Sequence, residues 1–364
     1  MAPFQPTSPL LLLLVAGLLS LSYCTMRFNA YGEFTILQFT DLHFCETDEL
    51  DLKSQQLQRN MLNWVRPDLV VFSGDGASGY GPNSTEPGWF KKCWERFTGP
   101  VVDYQVPYIY TLGNHDSEGE LNRTQIIQLD STSKWSLRNA SDGIPDTANF
   151  YVPIFSSRNE SELAANVWVF DSGREGCMGA HNESWGCIEP YVLEWYDNTS
   201  QKIKQKYGTN VHHVAYYHIP IPEYVNLYNG YPTYGVAGEG VGCPDVNTGF
   251  FAHMKKNGDI TANFVGHDHY NDYGGWIDGV ELMYGRKSGY GGYGDIRGAR
   301  VLVLNENYDS QGKLDVTRIS YVIYENGTME FDANPVYHND TKNGCSLPGR
   351  HAAASANKTT QLIF

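Results

Sequence analysis

The sequence predicts an α/β protein with a layered core. Three observations predict it. Short apolar runs recur without the alternation of a half-exposed strand. Segments with apolar residues at helical spacing fall between them. Clusters of Gly, Asp, Asn and His follow several runs directly, at the sheet edge where ligands bind in open α/β folds.

Taken in order, residues 34–40 (FTILQFT) read as a strand from their β-branched and aromatic content. Over residues 50–65, Leu52, Leu57, Met61, Leu62 and Val65 follow the helical period, and Pro67 stops the helix. Residues 69–73, 108–112 (after Pro107) and 167–170 are further strands. Residues 191–207 read as a helix ended by Gly208. Residues 214–217 and 260–265 are buried strands. From Val280 the texture is mostly β, with strands at 301–304, 316–323 and 329–331. There is no internal repeat and no Pro/Ser hinge, so residues 30–335 read as one domain. A sequon-rich excursion spans about 118–148, and residues 336–364 are expected to form a loose C-terminal tail.

Composition narrows the function classes. Hydrophobic residues at 41% and charged residues at 18% exclude a disordered chain and a polytopic membrane protein. The 25 Tyr, 16 Phe and 8 Trp suit a β-rich secreted enzyme or a carbohydrate binder. A net charge of −15 argues against a nucleic-acid duplex as partner. A small anionic ligand stays possible where local positive charge overrides that field.

Residues 1–24 read as a signal peptide. Five consecutive leucines open an apolar run from Leu10 to Leu21, too short for a comfortable membrane span. The alternative is a short membrane anchor; no second run of spanning length follows. Beyond Cys24, six cysteines remain: Cys45, Cys93, Cys177, Cys187, Cys243 and Cys345. Cys177 and Cys187 are the easiest pair to bridge, and the other pairings stay open. Sequons at Asn83, Asn122, Asn139, Asn159, Asn182, Asn198, Asn326, Asn339 and Asn357 point to N-linked glycans. The expected location is extracellular or the lumen of the secretory or vacuolar pathway.

Five motifs carry the chemistry: Thr40-Asp41-Leu42-His43, Ser73-Gly74-Asp75-Gly76, Leu112-Gly113-Asn114-His115-Asp116, Tyr216-Tyr217-His218-Ile219-Pro220 and Val265-Gly266-His267-Asp268-His269. Each alone is common; together, in this order, they are specific. On extended chain, residues i and i+2 point to one side, so Asp41 and His43 can reach one centre. Gly74, Gly113 and Gly266 precede Asp75, Asn114 and His267, letting the backbone turn tightly. The donor set is two carboxylates, one amide and four imidazoles, which suits Mn, Fe or Zn.

These blocks resemble the signature of the calcineurin-like metallophosphoesterases. The flanking segments DLVVFSGD, YTLGNHD, AYYHIPIPEY and GHDHYNDYGGWIDGVELMYGRKSGYGGYG are similar to the single-domain purple-acid-phosphatase-like proteins of plants and fungi. The resemblance runs to about Tyr324. It implies a four-layer α/β/β/α sandwich with two facing mixed β-sheets and two divalent or mixed-valence metal ions (Fe, Mn or Zn). It implies that Asp41, His43 and His269 hold one metal, that Asn114, His218 and His267 hold the other, and that Asp75 bridges them. Formal counting leaves the loaded site at about +1, enough to attract phosphate. A metal-bridging hydroxide would attack phosphorus, with His115 as general acid worth about 10²–10⁴-fold. Asp116 joins His115 in the catalytic motif as a support residue whose direction is unreadable. One departure concerns colour. Purple acid phosphatases carry Tyr three residues after the bridging Asp; here Ser78 stands there, and Tyr80 lies two further on. Tyrosinate–Fe(III) chemistry is therefore not implied.

The expectation is a secreted phosphomonoesterase taking a small phosphorylated substrate. The alternatives are a phosphodiesterase on nucleotides or lipid head groups, and a non-catalytic binding protein. Arg286 and Lys287 are candidates to grip substrate, against a solvated loop. Tyr270, Asn271 and Asp272 line the pocket or form a turn. His212 and His213 read as structural, and His181 as part of a glycosylated loop; His253, His338 and His351 are assigned no role.

Overall fold

The computed structural model describes residues 25–140, 143–145, 147–179, 184–346 and 348. In chain order the elements are β1 (Met26–Arg27), β2 (Glu33–Phe39), α1 (Asp48–Val65), β3 (Leu69–Ser73), α2 (Trp89–Asp103), β4 (Tyr108–Thr111) and α3 (Arg123–Asp130). There follow β5 (Phe150–Phe155), β6 (Leu163–Val169), α4 (Pro190–Tyr207), β7 (His212–Tyr216), α5 (Glu223–Gly230), β8 (Thr233–Tyr234), α6 (Phe250–Asn257) and β9 (Ile260–Val265). The chain continues with β10 (Gly274–Ile277), β11 (Val280–Tyr284), β12 (Gly298–Tyr308), β13 (Leu314–Tyr324) and β14 (Met329–Phe331).

Two mixed sheets form. One has strand order β1-β5-β6-β7-β9-β11-β10-β8, the other β14-β13-β12-β2-β3-β4. Apolar side chains from both fill the space between them: Ile36, Val71 and Ile109 from one, Val167, Val214 and Phe264 from the other. A second core packs the outer face of the larger sheet under α4, α5 and α6, and a third packs the smaller sheet under α1 and α2. This is the expected α/β/β/α sandwich. Strands β2, β3 and β4 run parallel, as do β6, β7 and β9, because helices cross between them, and β11 joins β9 in parallel after the chain passes through β10. All five motifs therefore emerge at the carboxyl ends of neighbouring strands.

Local chemistry explains the boundaries. Thr47 caps α1 by accepting from Leu50 N–H, and Arg66 ends it in the left-handed region. Pro190 opens α4 and Gly208, at φ 85°, closes it. One helix is added and two expectations change. Helix α2, flanked by Gly88 and containing Pro100, carries no clean sequence signal, yet it buries Phe90, Trp94, Phe97 and Val101. The excursion at 118–148 holds a capped helix, α3, whose buried Asp130 accepts from Trp94 Nε1, Tyr108 Oη and Ser136 Oγ. The expected loose tail is anchored through residue 346. Val336 exchanges both backbone hydrogen bonds with Thr233, Cys345 bonds Cys243, and Ser346 O accepts from Trp185 Nε1.

The cysteines pair as Cys45–Cys93, Cys177–Cys187 and Cys243–Cys345. Among the described residues, no helix is long and apolar enough to cross a membrane. The signal-like segment, His181 and His351 lie outside the described residues.

Candidate metal centre

Asp41 follows β2, Asp75 follows β3, Asn114 and His115 follow β4, His218 follows β7, and His267 and His269 follow β9. All seven proposed ligands are buried and converge. Asp41, His43 and His269 form one cluster of ligand atoms, and Asp75, His218 and His267 another. Asp75 spans them: its Oδ2 lies 3.2 Å from His218 Nε2 and 3.6 Å from His43 Nε2. Asn114 Oδ1 closes the second cluster, 3.0 Å from His218 Nε2 and 2.9 Å from His267 Nδ1.

Asp41 and His43 do not converge through extended backbone. Both are left-handed, at φ 53° and 51°, as are Asp75 (51°) and His267 (78°). The expected i, i+2 geometry is replaced by tight turns, and non-glycine residues adopt this region at a cost that functional sites commonly carry. The glycines are explained by close approach. A Cβ at Gly113 would sit 2.0 Å from Asp75 Oδ1, and one at Gly74 2.3 Å from His218 Nδ1.

The donor chemistry calls for cations. His218 Nδ1 faces the Ser73 carbonyl at 2.8 Å and His269 Nδ1 the Tyr293 carbonyl at 2.8 Å. A carbonyl only accepts, so each Nδ1 carries hydrogen and each neutral ring turns the lone pair of Nε2 inward. His43 Nδ1 faces Ser78 Oγ at 3.0 Å; that hydroxyl donates to Glu46 at 2.7 Å, so His43 also presents Nε2 as a lone pair. His43 Nε2 and His269 Nε2 meet at 3.2 Å. Two lone pairs, two carboxylates and an amide oxygen facing one another are satisfied by positive charge. Burial raises the Asp41 and Asp75 carboxyls, yet the surrounding imidazoles outweigh it and hold both below the usual range. Burial lowers His218, but in the metal-free cluster Asp75 and Asp41 outweigh it and push the ring up to about 9, so a metal that takes the Nε2 lone pair displaces a proton there.

The remaining candidates separate. His115 is partly exposed beside the cluster. Its N–H donates to Asp75 Oδ1 at 2.8 Å, and its Nδ1 meets Glu118 Oε2 at 2.7 Å. Burial lowers its pKa, but Asp75 and Glu118 outweigh that and raise it. Asp116 lies under the turns: its oxygens accept from Asp75 N (3.0 Å), Gly113 N (2.7 Å) and Ala77 N (3.0 Å). It ties two ligand loops together and does not face the cluster. Tyr80 Oη lies 3.3 Å from His43 Nδ1, the nitrogen turned away from the centre, and 2.9 Å from Glu46. Its ring packs edge-on against His115, 4.9 Å between centroids.

Arg286 and Lys287 are buried. Arg286 pairs with Asp272 and donates to the carbonyls of His269 and Ile296. Lys287 donates to Asp41 O at 2.9 Å, and burial pushes its ammonium down to about 7. Both brace the Gly/Tyr-rich loop. Asn271 and Asp272 accept from Glu239 N and Val236 N, as turn residues do. His213 accepts from Trp168 Nε1, His253 pairs with Asp197, and His338 stacks on Tyr228, all in structural settings. Sequence reasoning missed Glu46, Glu118 and Arg123. Arg123 grips Asp171 and donates to the carbonyls of Gly113 and Leu112, fixing the turn that carries Asn114. Glu118, three residues after His115, is the one a closer reading of the motif could have found.

Residues 34–271 match the profile of the calcineurin-like phosphoesterases. The chain belongs to that family. It is 31% identical over 320 residues to "Probable inactive purple acid phosphatase 29" of Arabidopsis thaliana, covering 79% of this chain and 81% of the relative. It is 28% identical over 271 residues to "Phosphatase DCR2" of Saccharomyces cerevisiae, covering 66% of this chain but 45% of the yeast protein. The solved structure of a dimetal phosphatase from Danio rerio aligns with TM-score 0.53 at 13% identity, covering 84% of this chain and 99% of that one; this likeness speaks to the fold. The paired Asp/His clusters fit the dinuclear centre of a calcineurin-like phosphoesterase.

Proposed function

We propose that this calcineurin-like phosphoesterase is a secreted, dinuclear metal-dependent phosphomonoesterase. The observation that carries the reading is the convergence of seven buried acceptor groups beside a partly exposed histidine. Asp41, His43 and His269 would hold one metal, and Asn114, His218 and His267 the other, with Asp75 shared. When bound, such a pair supplies Lewis acidity toward the phosphoryl oxygens and an activated water near neutral pH.

The chain's own groups do the rest. Glu118 accepts the Nδ1 hydrogen of His115, and with Asp75 it raises the pKa of the ring, so His115 can carry a second proton on Nε2 and give it to the departing ester oxygen. The His115 backbone bond to Asp75 fixes that donor to the shared carboxylate. The twin bonds of Asp116 to the Asp75 and Gly113 N–H groups hold the two turns in register. Tyr80 and Trp185 pack against His115 and His267 and limit their rotation.

The word "inactive" in the Arabidopsis names favours a second reading, a binding protein on the same fold. Loss of ligands would support it; here all seven and His115 are present. Secretion rests on the signal-like segment, three disulfides, and exposed sequon asparagines at 83, 122, 159, 198, 326 and 339. The test is metal analysis with a panel of mono- and diesters assayed on protein loaded in turn with Zn, Mn and Fe. Hydrolysis of monoesters that disappears on chelation is expected. Metal-loaded protein that hydrolyses nothing would reject the enzyme reading, and a preference for diesters would move it to the phosphodiesterase class.

A further inference from the structure

Charged side chains stand on three sides of the ligand cluster, with Lys342 beside Glu239. Glu46 stands on the His43 side, accepting from Ser78 Oγ, Tyr80 Oη and Gly292 N. Glu239 stands on the His269 side, accepting from Tyr293 Oη and from Tyr270 N. On the His115 side stands a cation, Arg174, whose side chain is 41% exposed. It lies three residues before the loop closed by Cys177–Cys187 and is tied to that loop, where Gly186 N–H donates to Arg174 O at 3.0 Å. The same loop lays Trp185 edge-on against His267, 4.3 Å between centroids. The loop thus packs on the ligand cluster through Trp185, and the segment of chain leading into it brings a guanidinium to Glu118, the partner of His115.

Arg174 is not spent on structure. Arg123 holds both oxygens of Asp171 and two carbonyls, and Arg286 holds Asp272 and two carbonyls. Arg174 has one long contact, Nη2 to Glu118 Oε1 at 3.5 Å, and its Nε is buried without a hydrogen-bond partner. Glu118 is already engaged by His115 through its other oxygen. A guanidinium is a planar fork suited to a carboxylate or phosphate, and this one is left half open beside the group that would face the leaving oxygen.

We propose that Arg174 is a specificity-determining residue that grips a second anionic group, a carboxylate or phosphate, carried by the leaving group of the substrate. This deepens the phosphoesterase reading and rests on it. The substrate class is then a phosphomonoester of an acidic alcohol, oriented by attraction to Arg174 on the His115 side.

Two unreactive ligands test this on Zn-loaded full-length protein: phenylphosphonate and 3-carboxyphenylphosphonate, which differ by one charge. Calorimetry should give about tenfold tighter binding of the carboxylated compound, the scale of one charge-assisted contact half open to water. Arg174→Gln should bring the ratio to about one, the loss falling on the carboxylated ligand, and Arg174→Lys should keep part of it. No preference in the wild type, a preference that survives Arg174→Gln, or an equal loss for both ligands would overturn the proposal. Turnover of the matching phosphate esters is measured alongside. A binding preference without turnover would support Arg174 and overturn the phosphomonoesterase reading; turnover without preference would do the reverse.

Discussion

Replacing Asp116 by Ala should damage the protein in a way that replacing a metal ligand does not. The carboxylate is fully buried and accepts three backbone N–H bonds, from Asp75, Gly113 and Ala77, at 2.7–3.0 Å. Alanine removes both acceptor oxygens and orphans all three donors at once. Each orphaned buried donor costs about 1–3 kcal/mol. Because the three share one small space and the losses are not additive, about 3–6 kcal/mol in total is expected. That is a large part of the ~5–15 kcal/mol that holds a typical domain together. Asp116→Asn keeps the shape and one acceptor oxygen, so its cost should be about 1–3 kcal/mol. The assay is urea unfolding followed by circular dichroism, with chelator present throughout so that metal loss does not contribute. The Ala variant should lose more than the Asn variant, and both should then bind metal less tightly because the Asp75 and Asn114 turns loosen. An Asp116→Ala protein within ~0.5 kcal/mol of wild type, the range of an ordinary surface substitution, would refute the reasoning.

Other outcomes follow from the same geometry. Asp75→Asn removes the charge shared by both clusters, so at least one metal and nearly all turnover should be lost with the fold retained, read by metal analysis and circular dichroism. His115→Ala should keep both metals, lower turnover of alkyl phosphates by about 10²-fold or more, and spare p-nitrophenyl phosphate, whose leaving group needs no proton; equal losses would reject the general-acid role. Iron-loaded protein should show no visible tyrosinate band, because Tyr80 Oη faces Glu46 and the outward nitrogen of His43; a purple preparation would mean that this loop rearranges. Adding Zn to chelated wild type at 100 times Kd should stabilise it by about 2.7 kcal/mol, and Asp75→Asn should lose most of that gain in a thermal melt.

Much of the fold was written locally. Strands β3 and β9 are bounded in the sequence as they are in the structure, because a strand buried on both faces is mostly apolar and its run stops where the ligand turn begins. Helices α1 and α4 were legible from apolar spacing and from the stops at Pro67 and Gly208. The ligand residues could be picked out because parallel strands place their carboxyl ends at one edge, whatever the packing details. Helix α2 was hidden because its identity comes from burying aromatic residues against α1 and β3, which outweighs an internal proline.

The sequence by itself determined the layer class, the order of the motifs and the donor set, since each depends on residue type and short spacing. Only the tertiary structure decided how those residues are used. The left-handed turns at Asp41 and His43 are held by bonds to the neighbouring Gly74 and Asp75 carbonyls. Asp116 turned beneath the site because three N–H groups from two distant turns meet there. Arg286 and Lys287 were withdrawn from the pocket by carbonyls 17 and 246 residues away, while Arg174 was carried into reach of Glu118 across 56. The tail is held because Cys345 finds Cys243 across 102 residues of chain. No local pattern encodes such pairings: they exist only where folding has closed those loops, at an entropic cost that the buried core offsets.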